Sequence, residues 1–476
     1  MLFISAAHKS SGKTTVAIGL AAAVAARDVK VQTFKKGPDY IDPMWLTRAS
    51  GRPCYNLDFN TQSPSEILET FFRHRAGAGF TLIEGNKGLH DGVDPHGRDS
   101  SAALAKLIEA PVVLVVDASG MTRGIAPLVL GYRAFDREVR IAGVILNKVG
   151  CARQESKLRQ ALELYTDIPV LGTIGRDRGL AVDERHLGLM TPAENRAAHA
   201  TIARIARAVA SGVDVERLVG LMHTAPDQPV MQLRRGRAMP SALRLAVARD
   251  RAFGFYYPDD LEALERAGAR LLFFDTIEDA RLPQADALFI GGGFPETQAR
   301  LLEANTSLRG ALRQAIRAGL PTYAECGGLM YLARSIVWHG EKREMVGVIP
   351  ADAVVHERPQ GRGLVRLEET ADAPWPRPSG KQAAMPAHEF HHASLENLEP
   401  GLRFAYRIVR GQGIDGGRDG IVLGNMVASF SHLRDTSRNR WAGRFVSFAR
   451  AHARVVAPPT TCTLDAAQCR ITALAS

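Results

Sequence analysis

From Met1 to about Leu221, short apolar runs alternate with helical patterns. The runs are LFISAA from Leu2, VQTFK from Val31, FTLIEG from Phe80, PVVLVVDA from Pro111, IAGVILN from Ile141 and PVLGTI from Pro169. That rhythm predicts βαβ units around a largely parallel sheet, with helices on both faces. A second α/β rhythm begins near Leu243: LRLAVARD, RLLFFD, ADALFIGGG, LPTYAECGG, MVGVIP and later IVLGNMVASF. Between the two lies APDQPVMQLRRGRAMPS, rich in Pro and Arg and without periodicity, which reads as a linker. PWPRP, Pro374 to Pro378, reads as a surface loop, and the stretch from about Val456 as a loosely held tail. The expected organisation is residues 1–222, a linker 223–241, residues 242–455 and a tail 456–476.

Length agrees with two domains, because 476 residues exceed what one core usually supports. A content of 46% hydrophobic and 23% charged residues is that of an ordinary soluble globular protein. The formal charge of +10 suits a polyanionic small molecule, whereas scattered arginines with no run of five basic residues argue against nucleic acid. The five cysteines form no CxxC pair, which disfavours a disulfide framework or a zinc site and makes a reducing cytoplasm the default. No apolar stretch reaches the length of about 18 residues that a membrane span needs, and no signal-peptide pattern follows Met1.

The first candidate chemistry is Ala7-His8-Lys9-Ser10-Ser11-Gly12-Lys13-Thr14-Thr15, at the junction of the first strand and the helical pattern VAIGLAAAVAA. A strand, a small-residue loop with Gly-Lys-Thr, then a helix gathers backbone N–H groups around an anion. Lys13 would neutralise phosphates and the Thr14 hydroxyl would ligate Mg²⁺. Ala7 stands where such loops usually carry a first glycine, and His8 where partitioning-type ATPases carry an extra lysine. Two acidic clusters end later strands: FKKGPDYIDP, with Lys35, Asp39, Tyr40 and Asp42, and LIEGNKGLHDG, with Glu84 and Asp91. Ligands bind beyond the carboxyl ends of strands in open α/β sheets, so Asp39, Asp42, Glu84 and Asp91 are expected to converge with Lys13 on one Mg·ATP site. Asp and Glu near glycines also serve as plain caps and turn formers. Asn147, at another strand end, offers an amide for a purine edge.

The second is Ala324-Glu325-Cys326-Gly327-Gly328, where an apolar strand meets a helical pattern. A cysteine nucleophile needs a thiolate, a base and donors for an oxyanion. The helix start behind Cys326 supplies N–H groups, GGGFPE (Gly291 to Glu296) brings a second backbone close, and MVASF runs into Ser431-His432, the expected base. Gly292, Gly293 and Gly327 are the expected oxyanion donors. His391 and His392 compete for the base role and rank second, since paired histidines more often serve a metal, a surface or a substrate.

SSGKTTV, FKKGPDYIDP, IEGNKGLHDG, ERHLGL, GGGFPE, AECGGLMYL, EFHHAS and GNMVASFSH together resemble the cobyrinic acid a,c-diamide synthase family over nearly the whole chain up to about Arg450. The resemblance implies a dethiobiotin-synthetase-like ATP domain joined to a class I, triad-type glutaminase domain. It implies ATP- and glutamine-dependent amidation of the a and c acetates of a tetrapyrrole-derived ring through an acyl phosphate, with ammonia made at Cys326 and His432. Carried over residue by residue, Lys13 and Thr14 hold phosphates and Mg²⁺, Glu84 and Asp39 assist the metal, and Asp42 and Asp91, with Lys35, Asp39 and Tyr40, shape the substrate side. A homodimer is compatible with the resemblance.

The chain departs from the family at two places. Arg434 stands two residues after His432, where an acid or another His is usual, so no orienting acid can be assigned; Asp435 is adjacent but out of register. His388 stands where an acid is expected before Glu389. Glutaminase turnover is therefore expected to be slow, or ammonia to serve directly. The segments AAHKSSGKTTV, KKGPDYIDPMWL and IEGNKGL look more like the branch associated with dissimilatory sulfite reductase, linked to sirohaem-type rings. The competing readings are a cobyric acid synthase amidating other side chains, and a partitioning or scaffold ATPase with an inactive second domain.

Overall fold

The computed structural model describes residues 1–182, 184–185, 188–195, 197–221, 243–377 and 383–453. The expected linker and tail lie outside the described residues. Seven strands form the first sheet: β1 Leu2–Ala6, β2 Val31–Lys36, β3 Tyr55–Leu57, β4 Phe80–Glu84, β5 Val112–Asp117, β6 Ile141–Val149 and β7 Val170–Gly175. Their order is β3-β2-β4-β1-β5-β6-β7, and every neighbouring pair is parallel. All six apolar runs of this half are strands of this sheet; its seventh, the three-residue edge strand β3, is not among them. Apolar side chains bury both faces, which is why the central strands read as continuous runs. Helix α1 (Lys13–Ala25) follows β1 and helix α2 (Ile41–Ser50) follows β2.

The second sheet has nine strands. Ala269–Phe274, Leu243–Ala248, Ala287–Ile290, Thr322–Glu325 and Met426–Ser429 lie side by side and parallel. Arg418–Leu423, Arg403–Arg410, Gly361–Glu369 and Met385–His391 continue it in antiparallel fashion. The last strand returns to the parallel half, where His388 makes an antiparallel bridge to His432. The sheet therefore curls back on the end of Met426–Ser429. Four further strands, Glu341–Glu344, Ala333–Trp338, Ile349–Val355 and Ala393–Glu396, make a small separate sheet.

One loop expectation is corrected. PWPRP is not simply a surface loop: Trp375 is buried and packs against Tyr323 and Trp441.

A polar seam joins the two halves. Tyr55 Oη donates to Glu262 Oε1 at 2.6 Å, Asn60 Nδ2 to the Ala387 carbonyl at 3.0 Å, and Arg366 Nη1 to Asn60 Oδ1 at 2.8 Å.

Candidate functional site

β1 ends at Ala6 and α1 begins at Lys13, so residues 7–12 form the phosphate-type loop. Gly12 has φ 90°, and a Cβ there would stand 2.0 Å from Asn147 Nδ2, so any other residue would be strained and would displace that amide. Asn147 Nδ2 donates to the Ser11 carbonyl and Lys148 Nζ to the Ser10 carbonyl, each at 2.9 Å, so the end of β6 braces the loop from the side. Asn147 thus touches the loop itself, which no reading of GVILN alone foresees. Thr15 follows on α1, half-buried.

Strand register builds the acidic centre. Lys35 of β2 pairs with Glu84 of β4, so a lysine and a carboxylate meet at the strand ends. Lys35 Nζ lies 2.5 Å from Asp42 Oδ2, 3.0 Å from Glu84 Oε1 and 3.7 Å from Asp39 Oδ2. Thr14 Oγ1 donates to Glu84 Oε1 at 2.5 Å and to Asp42 Oδ2 at 3.3 Å. Asp39 Oδ1 accepts the N–H groups of Ile41 and Asp42 and so caps α2. Asp91 is exposed, and its Oδ2 accepts from Gly88 N at 2.9 Å within its own loop.

The charges in this centre are strongly coupled. Burial would pull the Lys35 ammonium down, but Asp42, Glu84 and Asp39 hold it above the ordinary lysine range. Burial and then the Asp42 charge push Asp39 up to about 7. Burial also raises Glu84 despite Lys35. For Asp42 burial pulls upward, but Lys35 outweighs it and the carboxyl falls below its usual range. Burial first, and the Lys35 charge second, lower Lys13.

This donor set fits Mg²⁺ held against phosphate oxygens. Glu84 Oε2 is buried with no hydrogen-bond partner, beside the Thr14 hydroxyl. Mg²⁺ on a nucleotide takes only one or two carboxylates, so a closed cage is not needed. No group of three or more His, Cys, Asp or Glu placed to hold a metal ion is found among the described residues; Lys35 stands among these carboxylates instead.

At the second site, Thr322–Glu325 runs beside Met426–Ser429 with Glu325 opposite Ser429. One residue on, Cys326 N donates to the Ser429 carbonyl at 2.7 Å, and the chain turns into the helix Gly327–Leu332. Cys326 has φ 47° and ψ −102°, a strained setting that costs a non-glycine residue about 1–3 kcal/mol. A Cβ on Gly327 would stand 3.0 Å from Gly293 N, so these two expected donor positions adjoin just past the thiol. Gly292 lies beside the imidazole: a Cβ there would be 2.6 Å from His432 Cε1.

His432 is buried, with Nδ1 3.3 Å from Glu325 Oε2. Burial would lower its pKa, but Cys326 and Glu325 outweigh that and raise it to about 10. The sequence alone assigns no orienting acid; here Glu325, directly before Cys326, stands at ion-pair distance from the imidazole, although Nδ1 makes no hydrogen bond. Glu325 Oε1 is fixed by Tyr323 Oη at 2.5 Å and by Leu433 N at 2.9 Å. An acid ending an otherwise apolar strand was the available signal.

Arg434 serves elsewhere. Its Nη2 donates to Asp259 Oδ2 at 2.8 Å and to the Asn56 carbonyl at 2.6 Å, across the seam. His388 stacks on His432 at 4.9 Å between centroids; burial, then His432 and Arg434, keep it neutral far below the usual histidine range. His391 and His392 line a cavity with Cys326, Phe255 and Glu296. Their Nδ1 atoms face the carbonyls of Ala393 and His356 at 2.7 and 3.0 Å, and His391 stacks flat on Phe430. Lys35 stays within its carboxylate cluster, whereas Tyr40 turns its ring across the seam onto Phe255, Tyr257 and His432.

Each half of the chain matches a family model. Residues 3–189 match the CobQ/CobB/MinD/ParA nucleotide binding domain, and residues 244–439 the CobB/CobQ-like glutamine amidotransferase domain. The chain is 44% identical over 455 residues to the cobyrinate a,c-diamide synthase of Magnetococcus marinus, covering 94% of this chain and 97% of that one. It is 39% identical to that of Methanothermobacter thermautotrophicus, with 91% and 96% covered, and 37% identical to that of Methanosarcina acetivorans, with 94% and 95% covered. A parallel sheet carrying a nucleotide-type loop and a mixed sheet carrying a Cys-His-Glu pocket, matched over 94% of the chain at 44% identity, mean that the chain belongs to the cobyrinate a,c-diamide synthase family of glutamine-dependent carbon–nitrogen ligases.

Proposed function

We propose that this protein amidates the a and c acetate carboxylates of cobyrinate, using ATP and ammonia released from glutamine. The observation that carries the reading is the pairing, in one chain, of the Lys13–Thr14 loop facing Glu84 with the Cys326–His432–Glu325 pocket. At the first site, a ring carboxylate oxygen attacks the γ-phosphorus of ATP, the bond to the β-phosphate oxygen breaks, and ADP leaves. Ammonia then attacks the acyl phosphate carbon, and inorganic phosphate departs with the former carboxylate oxygen. Lys13 binds and neutralises phosphate oxygens; Thr14, Glu84 and Asp39 would hold Mg²⁺, which supplies charge neutralisation on the phosphates. Asp42 stays ionised against Lys35 and keeps that lysine in place.

At the second site, the Cys326 thiolate attacks the glutamine side-chain carbonyl, with Gly293 and Gly327 backbone near the developing oxyanion. His432 passes its proton to the departing ammonia, then activates the water that hydrolyses the thioester to glutamate. Glu325 holds the imidazole in the tautomer this needs. A cytoplasmic setting, the default for a chain without a CxxC pair or disulfide framework, is part of the same proposal.

Incubation with ATP, Mg²⁺, glutamine and, in parallel, cobyrinate, hydrogenobyrinate, sirohydrochlorin or sirohaem tests the ring. Two acid-to-amide conversions on cobyrinate, counted by mass spectrometry, are the expected result. Conversion of a sirohaem-type ring alone would move the protein to that branch, and amidation of other side chains would make it a cobyric acid synthase.

A further inference from the structure

The catalytic imidazole is boxed in by four groups. Glu325 faces Nδ1 at 3.3 Å, Gly292 lies against Cε1, and His388 stacks on the ring at 4.9 Å and 14°. The fourth is Tyr40, whose ring centroid is 5.2 Å from that of His432 at a tilt of 46°. The first three come from the glutaminase half; Tyr40 does not. It sits at the start of α2, directly after Asp39 and two residues before Asp42, in the loop that carries carboxylates of the ATP site.

That loop is tied across the seam twice. Tyr40 stacks on Phe255 with planes 2° apart, and it contacts Tyr257 at 4.7 Å and His388 at 5.6 Å. On the other side, Asn56 Nδ2 donates to the carbonyls of Gly37 and Asp39 at 2.8 and 2.7 Å, while the Asn56 carbonyl accepts from Arg434. A shift of the 37–42 loop on filling the ATP site would therefore carry the Tyr40 ring with it. The wall of the imidazole would move.

We propose that Tyr40 is a positioning residue for His432, through which the ATP-site loop sets the rate of glutamine hydrolysis. The proposal rests on the reading of Cys326 and His432 as the glutaminase pair. The ring is what acts, as the fourth wall of a packed slot; the hydroxyl is secondary. Misplacing a catalytic group by an ångström can cost about 10²-fold in rate, which sets the scale of the effect.

The test uses the full-length enzyme with Tyr40→Leu and Tyr40→Phe. Glutamine hydrolysis is measured without and with Mg·ATP and cobyrinate, alongside the rate of Cys326 alkylation by iodoacetamide in the ligand-free protein. Tyr40→Leu is expected to lower kcat for hydrolysis about 10- to 100-fold with KM for glutamine within about twofold. Alkylation should slow alongside it, and the response of hydrolysis to Mg·ATP and ring should disappear. Tyr40→Phe should restore the kcat, the alkylation rate and the response to within about twofold of the parent. Parent-like kcat and alkylation in Tyr40→Leu would overturn the proposal, as would a Tyr40→Phe as impaired as the leucine variant. Should the unsubstituted enzyme fail to hydrolyse glutamine, or Cys326→Ala retain hydrolysis, the glutaminase reading itself falls, whatever Tyr40 does.

Discussion

The ATP-type pocket and the thiol pocket both lie past the carboxyl ends of parallel strands, yet opposite forces hold them. The first is a knot of charge: Lys35 among Asp39, Asp42 and Glu84, with Lys13 nearby and Glu84 Oε2 without a partner. The second is closely packed, with the His432–Glu325 ion pair set among aromatic rings and glycines. A charged pocket of this kind is unbalanced until a cationic and phosphate-bearing ligand arrives, whereas a packed pocket is built before glutamine enters. The pocket that consumes nitrogen thus waits for its substrates, and the one that releases it is preassembled apart from the wall lent by Tyr40.

The contrast is broken most strongly at Lys13. Lys13→Ala is expected to lower amidation about 10³-fold with glutamine or ammonia alike, because phosphate charge goes unneutralised. Glutamine hydrolysis without ATP should persist, and a coupled glutamate assay beside a product assay checks the split. Glu325→Gln acts on the other pocket: glutamine-dependent turnover should fall about 10²-fold while ammonia-dependent amidation is unchanged. Steady-state kinetics with the two nitrogen sources reads that difference.

Stability sharpens the same comparison. Asp39 has a folded pKa of about 7 against an ordinary 3.8, so the folded ligand-free protein binds more protons than the unfolded chain between those values. Stability therefore falls as pH rises through that window. Asp39→Asn should raise the Tm of the ligand-free protein by a few °C at pH 8 and not at pH 3.5, since asparagine can still cap α2. Scanning calorimetry at the two pH values checks it. In the packed pocket the stored cost is backbone strain. Cys326→Gly should melt about 2–4 °C above Cys326→Ala, because glycine relieves the φ of 47° that alanine keeps.

What could be read from the chain follows burial. Central parallel strands are apolar on both faces, so all of those in the first half stood out. The antiparallel strands of the second half, such as GRGLVRLEE and RFAYRIVR, keep polar or exposed positions and blend into loops. Cys326 and His432 were legible because each follows an apolar run at a strand end. Glu325 was not, because an acid was sought after His432; the pairing of Glu325 with Ser429 places it beside the imidazole. Lys35 stands out in the sequence beside an acidic cluster, but its burial depends on the pairing of β2 with β4, which no single segment reveals. The reach of Tyr40 onto His432 depends on how the two halves meet, so it could not be read locally.

The central claim is that nitrogen release and carboxylate activation occupy separate pockets of one chain. Its most direct test is Cys326→Ala assayed for ATP-dependent amidation with glutamine and with ammonium chloride. The account predicts no detectable glutamine-dependent product and ammonia-dependent turnover within about twofold of the parent. Loss of amidation from both nitrogen sources in a folded variant, or retention of both, would contradict it.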